Sequence, residues 1–277
     1  MTYLTAMVMG LIQGIAEFLP ISSSGHLAIF QNFFGMSDIE HDYMLFDVLL
    51  HLGTLVAVFV AYWADIVALL REFFAMVHLR RLPDGQRPDV PTRRLILMII
   101  VATLPLFAIL PVKDRVEELY SNTFFISFAL IVTGAVLFFS DRMRHGKKTD
   151  RDATMVDALL IGCAQALATV PGISRSGATI SAGLARGFNR QFAVRFSFLM
   201  SIPAVMGANI LSLVDALKAD TDWSLLPMYL VGVMVAAVSG YLSIRLLRYI
   251  ANKGSFGYFS YYCWGVGLLT LILSLIA

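Results

Sequence analysis

The chain has 277 residues, 58% of them hydrophobic and only 14% charged, with a formal net charge of +2. Soluble domains carry about 25% charged residues, so the composition excludes a soluble globular enzyme, and so small a net charge argues against a nucleic-acid partner. The apolar runs are continuous rather than alternating over segments of about ten, which excludes an outer-membrane barrel and predicts an all-α polytopic membrane protein.

The first apolar segment contains Glu17 and is interrupted at "LPISSSG" (19 to 25). Residues 1 to 70 contain no Lys or Arg, unlike the start of a cleavable signal peptide, so this segment is expected to remain on the mature chain. Transmembrane helices need about 20 apolar residues. Six stretches meet that length, near 44 to 63, 94 to 112, 122 to 140, 194 to 214, 226 to 246 and 257 to 276. The connection after the first span carries Arg71, Arg80, Arg81, Arg87, Arg93 and Arg94, and residues 141 to 153 carry Arg142, Arg144, Lys147, Lys148 and Arg151. Both are expected on the cytoplasmic side. The connections "KDRVEELY" (113 to 120) and "DALKADTDW" (215 to 223) hold more acids than bases and are expected outside. Cys163 and Cys263 lie in apolar context without paired spacing and read as small core residues. The aromatics of "FGYFSYYCW" (256 to 264) read as an interface belt.

Six spans satisfy this charge pattern only if the interrupted segments before spans one and four enter and leave on the same face, as re-entrant helical hairpins. The second break is "VPGISRSG" (170 to 177). A shift of 152 residues aligns 10 to 25 with 162 to 177 and matches Gly10, Gln13, Ala16, Ile21, Ser22, Ser24 and Gly25 to Gly162, Gln165, Ala168, Ile173, Ser174, Ser176 and Gly177. Three spans separate the copies, an odd number, so the second copy is expected upside down. The single membrane domain then comprises a first repeat, 1 to 140, and an inverted second repeat, 154 to 277. In such inverted-topology repeats the broken helices meet near the bilayer midplane and form the site.

An ionised side chain at mid-bilayer costs roughly 2.5 to 3.5 kcal/mol on insertion scales and usually lines a cavity. The candidates are Glu17, His26, Asp47, His51 and Arg175. In each repeat an apolar half-helix ends at a proline and a serine-rich turn, after which a second helix begins. A helix start with hydroxyl caps and free N–H groups is an anion site suited to phosphate, and Gly25 and Gly177 allow close backbone approach. Arg175, which the shift aligns with Ser23, adds a planar two-point donor for phosphate oxygens. Gln13 and Glu17, four residues apart, share a helix face and could hold a divalent cation with phosphate oxygens. Glu17 could instead be the base that activates Ser23 or a water, with His26 as acid or base. Asp47 and His51 read equally as cavity-lining groups or as a satisfied pair near the interface, and Asn209 as a helix-packing residue.

"QGIAEFLPISSSGH" (13 to 26), "PGISRSGATISAG" (171 to 183) and "FSFLMSIPAVMGA" (196 to 208) resemble the bacterial undecaprenyl-pyrophosphate phosphatases of the bacitracin-resistance type, over essentially the whole chain. The resemblance implies hydrolysis of a polyprenyl diphosphate lipid, undecaprenyl diphosphate, to undecaprenyl phosphate and inorganic phosphate. It also implies a place in the bacterial inner membrane in contact with lipid, a site open to the periplasm, and dependence on a divalent cation such as magnesium or calcium. Both termini are then expected to be periplasmic, and a homodimer is compatible with it. By position, Glu17, Ser23, His26 and Arg175 fall on the family's catalytic residues, and Ser174, Ser176 and Thr179 on its phosphate loop. Ser22, Ser24, Gly25 and Gly177 complete the expected phosphate-binding set. At the first motif position stands Gln13, a weaker cation ligand than a carboxylate. The competing reading is a polyprenyl-phosphate carrier or flippase, since inverted repeats with midplane sites are transporter architecture. A type-2 phosphatidic-acid phosphatase, suggested by "SGH" (24 to 26), is disfavoured because its Lys-rich motif is missing from residues 1 to 70.

Overall fold

The computed structural model describes residues 1–33, 44–77, 88–143, 146–218, 222–253 and 256–276. Arg80, Arg81, Arg87 and Arg144, expected on the cytoplasmic side, lie outside these residues, as do residues 219–221 of the second acidic connection. The described chain is helical, as the continuous apolar runs require. Its helices are α1 (Tyr3–Phe18), α2 (Ser23–Phe33), α3 (Met44–Ala61), α4 (Trp63–Met76), α5 (Val90–Thr103), α6 (Lys113–Glu118), α7 (Thr123–Asp141), α8 (Met155–Leu167), α9 (Arg175–Ala185), α10 (Arg190–Lys218), α11 (Leu226–Lys253) and α12 (Gly257–Ile276). Between α5 and α6 the chain tightens into 3-10 turns at Leu104–Ala108 and Leu110–Val112. Each has a proline at its start, where the missing N–H removes no helical bond.

Among the described residues five helical stretches are long and apolar enough to cross a membrane: Val90–Ser121, Thr123–Asp141, Arg190–Val214, Trp223–Lys253 and Gly257–Ile276. A sixth arises if Leu45–Ala61 and Trp63–Met76 count as one span, although they meet at 86°. The chain is a multi-pass membrane protein, and its surface agrees: Leu97, Phe128, Leu230 and Leu269 are exposed large apolar side chains along the spans. The first expected span therefore stops at Ala61 rather than 63, and α4 turns aside where the sequence suggested only a charged connection. Two acids of α4 are paired, Glu72 with Arg93 at 2.8 Å and Asp65 with Arg195 of α10 at 2.6 Å.

At α1 and α8 the helices are short, 16 and 13 residues, or about 24 and 20 Å at 1.5 Å per residue. Both start on threonine caps: Thr2 accepts from Thr5 N–H at 3.1 Å, and Thr154 forms a capping box with Asp157. Each folds back on its successor, α1 on α2 and α8 on α9, and each leans on a span of the other half, α1 on α11 and α8 on α5. Glycine permits both approaches. A methyl group at Gly10 would strike the Gly232 carbonyl oxygen, and one at Gly162 the Ala102 carbonyl oxygen.

A buried cluster joins Ala16 and Leu19 from the first hairpin, Val58 from α3, Met98 from α5, Ile161 and Ile180 from the second hairpin, and Phe198 from α10. It packs beneath the point where the two interrupted segments meet. At one end of the bundle Asp141 accepts from Phe256 N–H and Gly257 N–H, capping α12, while it holds Arg190 at 2.9 Å. Asp157 there takes Lys148 at 3.0 Å and Arg186 at 2.7 Å.

Candidate active site

The two serine-rich turns touch. A Cβ on Gly25 would stand 3.0 Å from the α-carbon of Gly172, and one on Gly177 would stand 3.4 Å from Pro20. So the starts of α2 and α9, 152 residues apart in sequence, lie side by side. Each is capped in the same way. Ser22 Oγ accepts from Gly25 N–H at 3.2 Å and Ser174 Oγ accepts from Gly177 N–H at 3.0 Å. Ser22 and Ser24, and likewise Ser174 and Ser176, are paired hydroxyl to hydroxyl at 3.3 Å. The turns differ in how they reverse. Gly172 takes φ +88° in the second, whereas in the first Ser22 itself sits at +72°, a left-handed conformation that costs a non-glycine residue about 1 to 3 kcal/mol and clusters at functional sites.

Glu17 ends α1 at the centre of this junction, buried. Its Oε1 pairs with the Arg175 guanidinium from the start of α9. Its Oε2 accepts the Ser23 hydroxyl at 2.6 Å and the Gln13 amide at 3.2 Å. A buried carboxylate needs such partners, since an unpaired ion in low dielectric is costly. The arrangement thus joins Gln13, Glu17, Ser23 and Arg175, drawn from both motifs, in one hydrogen-bonded group.

His26, one turn into α2, is fixed at both nitrogens. Its Nδ1 lies 2.8 Å from the Ser22 carbonyl oxygen and its Nε2 2.9 Å from the Tyr262 hydroxyl on α12. A carbonyl only accepts, so Nδ1 carries the hydrogen, and in the neutral ring Nε2 is the basic nitrogen. The Tyr262 ring stacks on the imidazole at 5.6 Å.

The other expected phosphate ligands divide in two. Ser23, Ser24, His26 and Arg175 retain solvent exposure, while Ser22, Gly25, Ser174, Ser176, Gly177 and Thr179 are buried. The buried hydroxyls already have work within the protein: Ser176 Oγ donates to the Leu19 carbonyl at 3.2 Å, and Thr179 Oγ1 bonds the Arg175 carbonyl at 2.8 Å and Ser197 Oγ at 2.6 Å. In this arrangement they shape the turn that presents Arg175. His51, from α3, lies within electrostatic reach of Glu17 and Arg175. Asn209, expected only to pack, is buried with its amide nitrogen unpartnered among the described residues.

Sequence reasoning missed Tyr262 and Thr133; of the two cysteines expected in the core, Cys263 is buried and Cys163 is exposed. Thr133 Oγ1 donates to the Gly172 carbonyl at 2.9 Å and accepts from Ser174 N–H at 3.1 Å. Cys263 Sγ stands 3.8 Å from the Pro20 carbonyl oxygen. The spans α7 and α12 thus each bind one turn, α7 the second and α12 the first. A threonine beside Gly134 in the middle of α7 was the available signal for Thr133; Tyr262 was hidden among neighbouring aromatics.

A divalent cation finds few protein donors here. Among the described residues no three His, Cys, Asp or Glu side chains cluster. Yet Gln13 Oε1, beside the only nearby carboxylate of α1, is buried with no hydrogen-bond partner. One carboxylate and one spare amide oxygen fit magnesium, which commonly takes one or two carboxylates with phosphate oxygens and waters.

Comparison with known proteins agrees with these motifs. The family model described as "Bacitracin resistance protein BacA" matches residues 6–269. The undecaprenyl-diphosphatase of Methanosphaera stadtmanae is 42% identical over 99% of this chain and 98% of its own length. That of Alkaliphilus metalliredigens is 41% identical over the whole of both chains, and that of Syntrophotalea carbinolica 41% identical over 96% of this chain and 97% of its own. With its two motif turns joined at Glu17 and Arg175 and this likeness running from end to end, the chain belongs to the bacitracin resistance protein BacA family.

Proposed function

We propose that the protein is a membrane phosphatase that hydrolyses undecaprenyl diphosphate to undecaprenyl phosphate and inorganic phosphate, returning the lipid carrier to cell-wall synthesis. The observation that carries this reading is the 2.6 Å hydrogen bond from Ser23 to Glu17, with Arg175 on the other carboxylate oxygen. A nucleophile held by its base beside a phosphate-binding cation is the constellation that phosphoryl transfer requires.

In this mechanism Arg175 turns from Glu17 to the oxygens of the terminal phosphate. Ser23 Oγ attacks the terminal phosphorus and its proton passes to Glu17. The bond from that phosphorus to the bridging oxygen breaks, and undecaprenyl phosphate departs with the electron pair. Water then attacks the phosphoserine phosphorus and gives a proton to His26, whose Nε2 faces Tyr262; the bond from phosphorus to Ser23 Oγ breaks, Ser23 recovers its proton from Glu17, and inorganic phosphate leaves. Direct attack by water in place of Ser23 uses the same base and leaves no phosphoserine. A divalent cation held by Glu17 and Gln13 Oε1 would supply further positive charge to the phosphates.

The two short hairpins, their crosswise turns and the paired leanings of α1 on α11 and α8 on α5 support the inverted repeat of 1 to 140 and 154 to 277, with both hairpins re-entrant. The cationic connections then face the cytoplasm, and the site, like both termini, faces the periplasm. A homodimer is compatible with the apolar outer faces of the spans.

A polyprenyl-phosphate carrier has no need of a hydroxyl bonded to a carboxylate. The deciding experiment is phosphate release from purified, detergent-solubilised protein supplied with undecaprenyl diphosphate, where no second compartment exists. Release that disappears in Glu17→Ala and Arg175→Ala supports the phosphatase; no release by the wild type under any cation condition overturns it.

A further inference from the structure

A diphosphate ester carries more negative charge than one guanidinium offsets, and Arg175 is the only arginine or lysine in the group built on Glu17. Beside the Glu17 group runs α3, which packs on α1, α10 and α11. Asp47, His51, Thr54 and Val58 follow one another at spacings of four, three and four along it, a single helix face. Val58 is buried in the same cluster as Ala16 and Leu19, the neighbours of Glu17 and Pro20. Thr54 is buried, while the side chains of His51 and Asp47 are 30% and 50% exposed. The face therefore opens progressively from the floor of the site outward, and His51 is its first exposed polar side chain.

The imidazole of His51 is oriented rather than satisfied. Its Nδ1 lies 3.0 Å from the carbonyl oxygen of Asp47, so Nδ1 carries a hydrogen, and the Asp47 carboxylate stands 3.8 Å away. Among the described residues Nε2 has no hydrogen-bond partner. The charged groups within reach are Asp47 on its own helix, Glu17 from α1 and Arg175 from α9. With the Asp47 carboxylate 3.8 Å from Nδ1, a second proton taken up by the ring together with an anion turns Nε2 into an N–H donor toward whatever anion lies between α3 and the Glu17 group.

We infer that His51 is a second phosphate-binding residue, taking the lipid-bearing phosphate while Arg175 and Ser23 hold the terminal phosphate that is removed. This rests on the phosphatase reading given above. Because Ser23, Glu17 and Arg175 would hold the reacting phosphorus, a donor from a separate helix within their electrostatic reach is left to meet the phosphate that stays with the lipid. Two donors on separate helices select a diphosphate over a monophosphate by spanning both phosphates, a specificity neither donor has alone.

The test uses purified wild type, His51→Leu and His51→Gln in detergent, with undecaprenyl diphosphate as substrate and undecaprenyl phosphate and orthophosphate as inhibitors. His51→Leu is expected to raise KM about tenfold, the effect of losing one charge-assisted hydrogen bond, with kcat within about threefold. It weakens inhibition by undecaprenyl phosphate by the same factor and leaves inhibition by orthophosphate unchanged. His51→Gln, which keeps an N–H donor of similar reach, recovers most of the loss. If His51→Leu does not fold, His51→Asn replaces it, with the same amide on a shorter arm. Unchanged KM and unchanged undecaprenyl-phosphate inhibition, or a loss confined to kcat, overturn the inference. An inactive wild type overturns the phosphatase reading itself, so the two failures are distinct.

Discussion

Thr133, in the middle of α7, donates its hydroxyl hydrogen to the carbonyl oxygen of Gly172 at 2.9 Å, and its Oγ1 accepts from Ser174 N–H at 3.1 Å. One side chain thus satisfies two buried backbone groups of the turn that presents Arg175. Thr133→Val keeps the shape and removes both bonds. Each orphaned group costs about 1 to 3 kcal/mol, so the variant is expected to melt several degrees lower and to lose activity beyond its loss of folded protein, because Arg175 no longer has a fixed origin. Thr133→Ser, which keeps the hydroxyl, should stay close to wild type. Thermal unfolding in detergent together with phosphate release per folded molecule reads both effects; a Thr133→Val protein with wild-type turnover would show that the turn holds itself.

Ser23 is bonded to Glu17 but packed by little else, being part-exposed at the start of α2. Ser23→Ala takes one hydrogen bond from the buried Glu17 carboxylate and is therefore expected to cost about 1 to 3 kcal/mol of stability, while phosphate release per folded molecule falls by at least about 10³-fold. Glu17→Gln removes the base and strands Arg175, so it should lower both activity, by about 10²- to 10⁴-fold, and stability. Rapid quenching followed by mass spectrometry of the peptide that contains Ser23 separates the two nucleophiles: a transient phosphoserine marks Ser23, and its absence in an active enzyme assigns the attack to water.

The helical class, the spans and the two motif turns were legible because each leaves a mark in one dimension: a long apolar run, or a proline and serines interrupting one. Four residues of the central group, Gln13, Glu17, Ser23 and Arg175, were legible for the same reason, as polar residues where none is cheap. What the sequence concealed is what depends on a third dimension. The hydroxyls of Ser176 and Thr179 look equivalent to that of Ser23 in the motif, but the chain spends them on Leu19 and Ser197, and only the packing of the hairpins reveals which side chains stay partly exposed. Tyr262 lies 236 residues from its partner His26, and no local pattern links them. The 86° turn after Ala61 was masked by an apolar run that continues through Trp63 into α4.

Gly10 and Gly162 occupy equivalent places in the two hairpins and meet carbonyl oxygens of α11 and α5. Neither carbonyl is the end of a flexible side chain, so neither can move aside cheaply. Gly10→Ala and Gly162→Ala are each expected to destabilise by about 1 to 3 kcal/mol, as overpacked cores do. Gly265→Ala, where an added methyl group meets nothing within 4 Å, is the control and should be close to neutral. Equal penalties at the two hairpin glycines support a shared architecture of the halves; a penalty at one alone argues that the halves pack by different rules.

Gln13 donates its amide to Glu17 and leaves Oε1 unused, which makes Gln13→Glu a direct probe of the proposed cation. Without a cation this substitution removes a hydrogen bond and sets a second carboxylate one helical turn from the first, a repulsion that water does not screen inside the protein. The variant should therefore melt below wild type in chelator. With magnesium present, two carboxylates bind more tightly than one, and binding to the folded state alone raises stability in proportion to RT ln(1 + [L]/Kd). The expected result is a larger magnesium-induced rise in melting temperature for Gln13→Glu than for wild type, with half-maximal phosphate release at lower magnesium. Equal magnesium responses in the two proteins would place the cation, if the reaction uses one, away from Gln13 and Glu17.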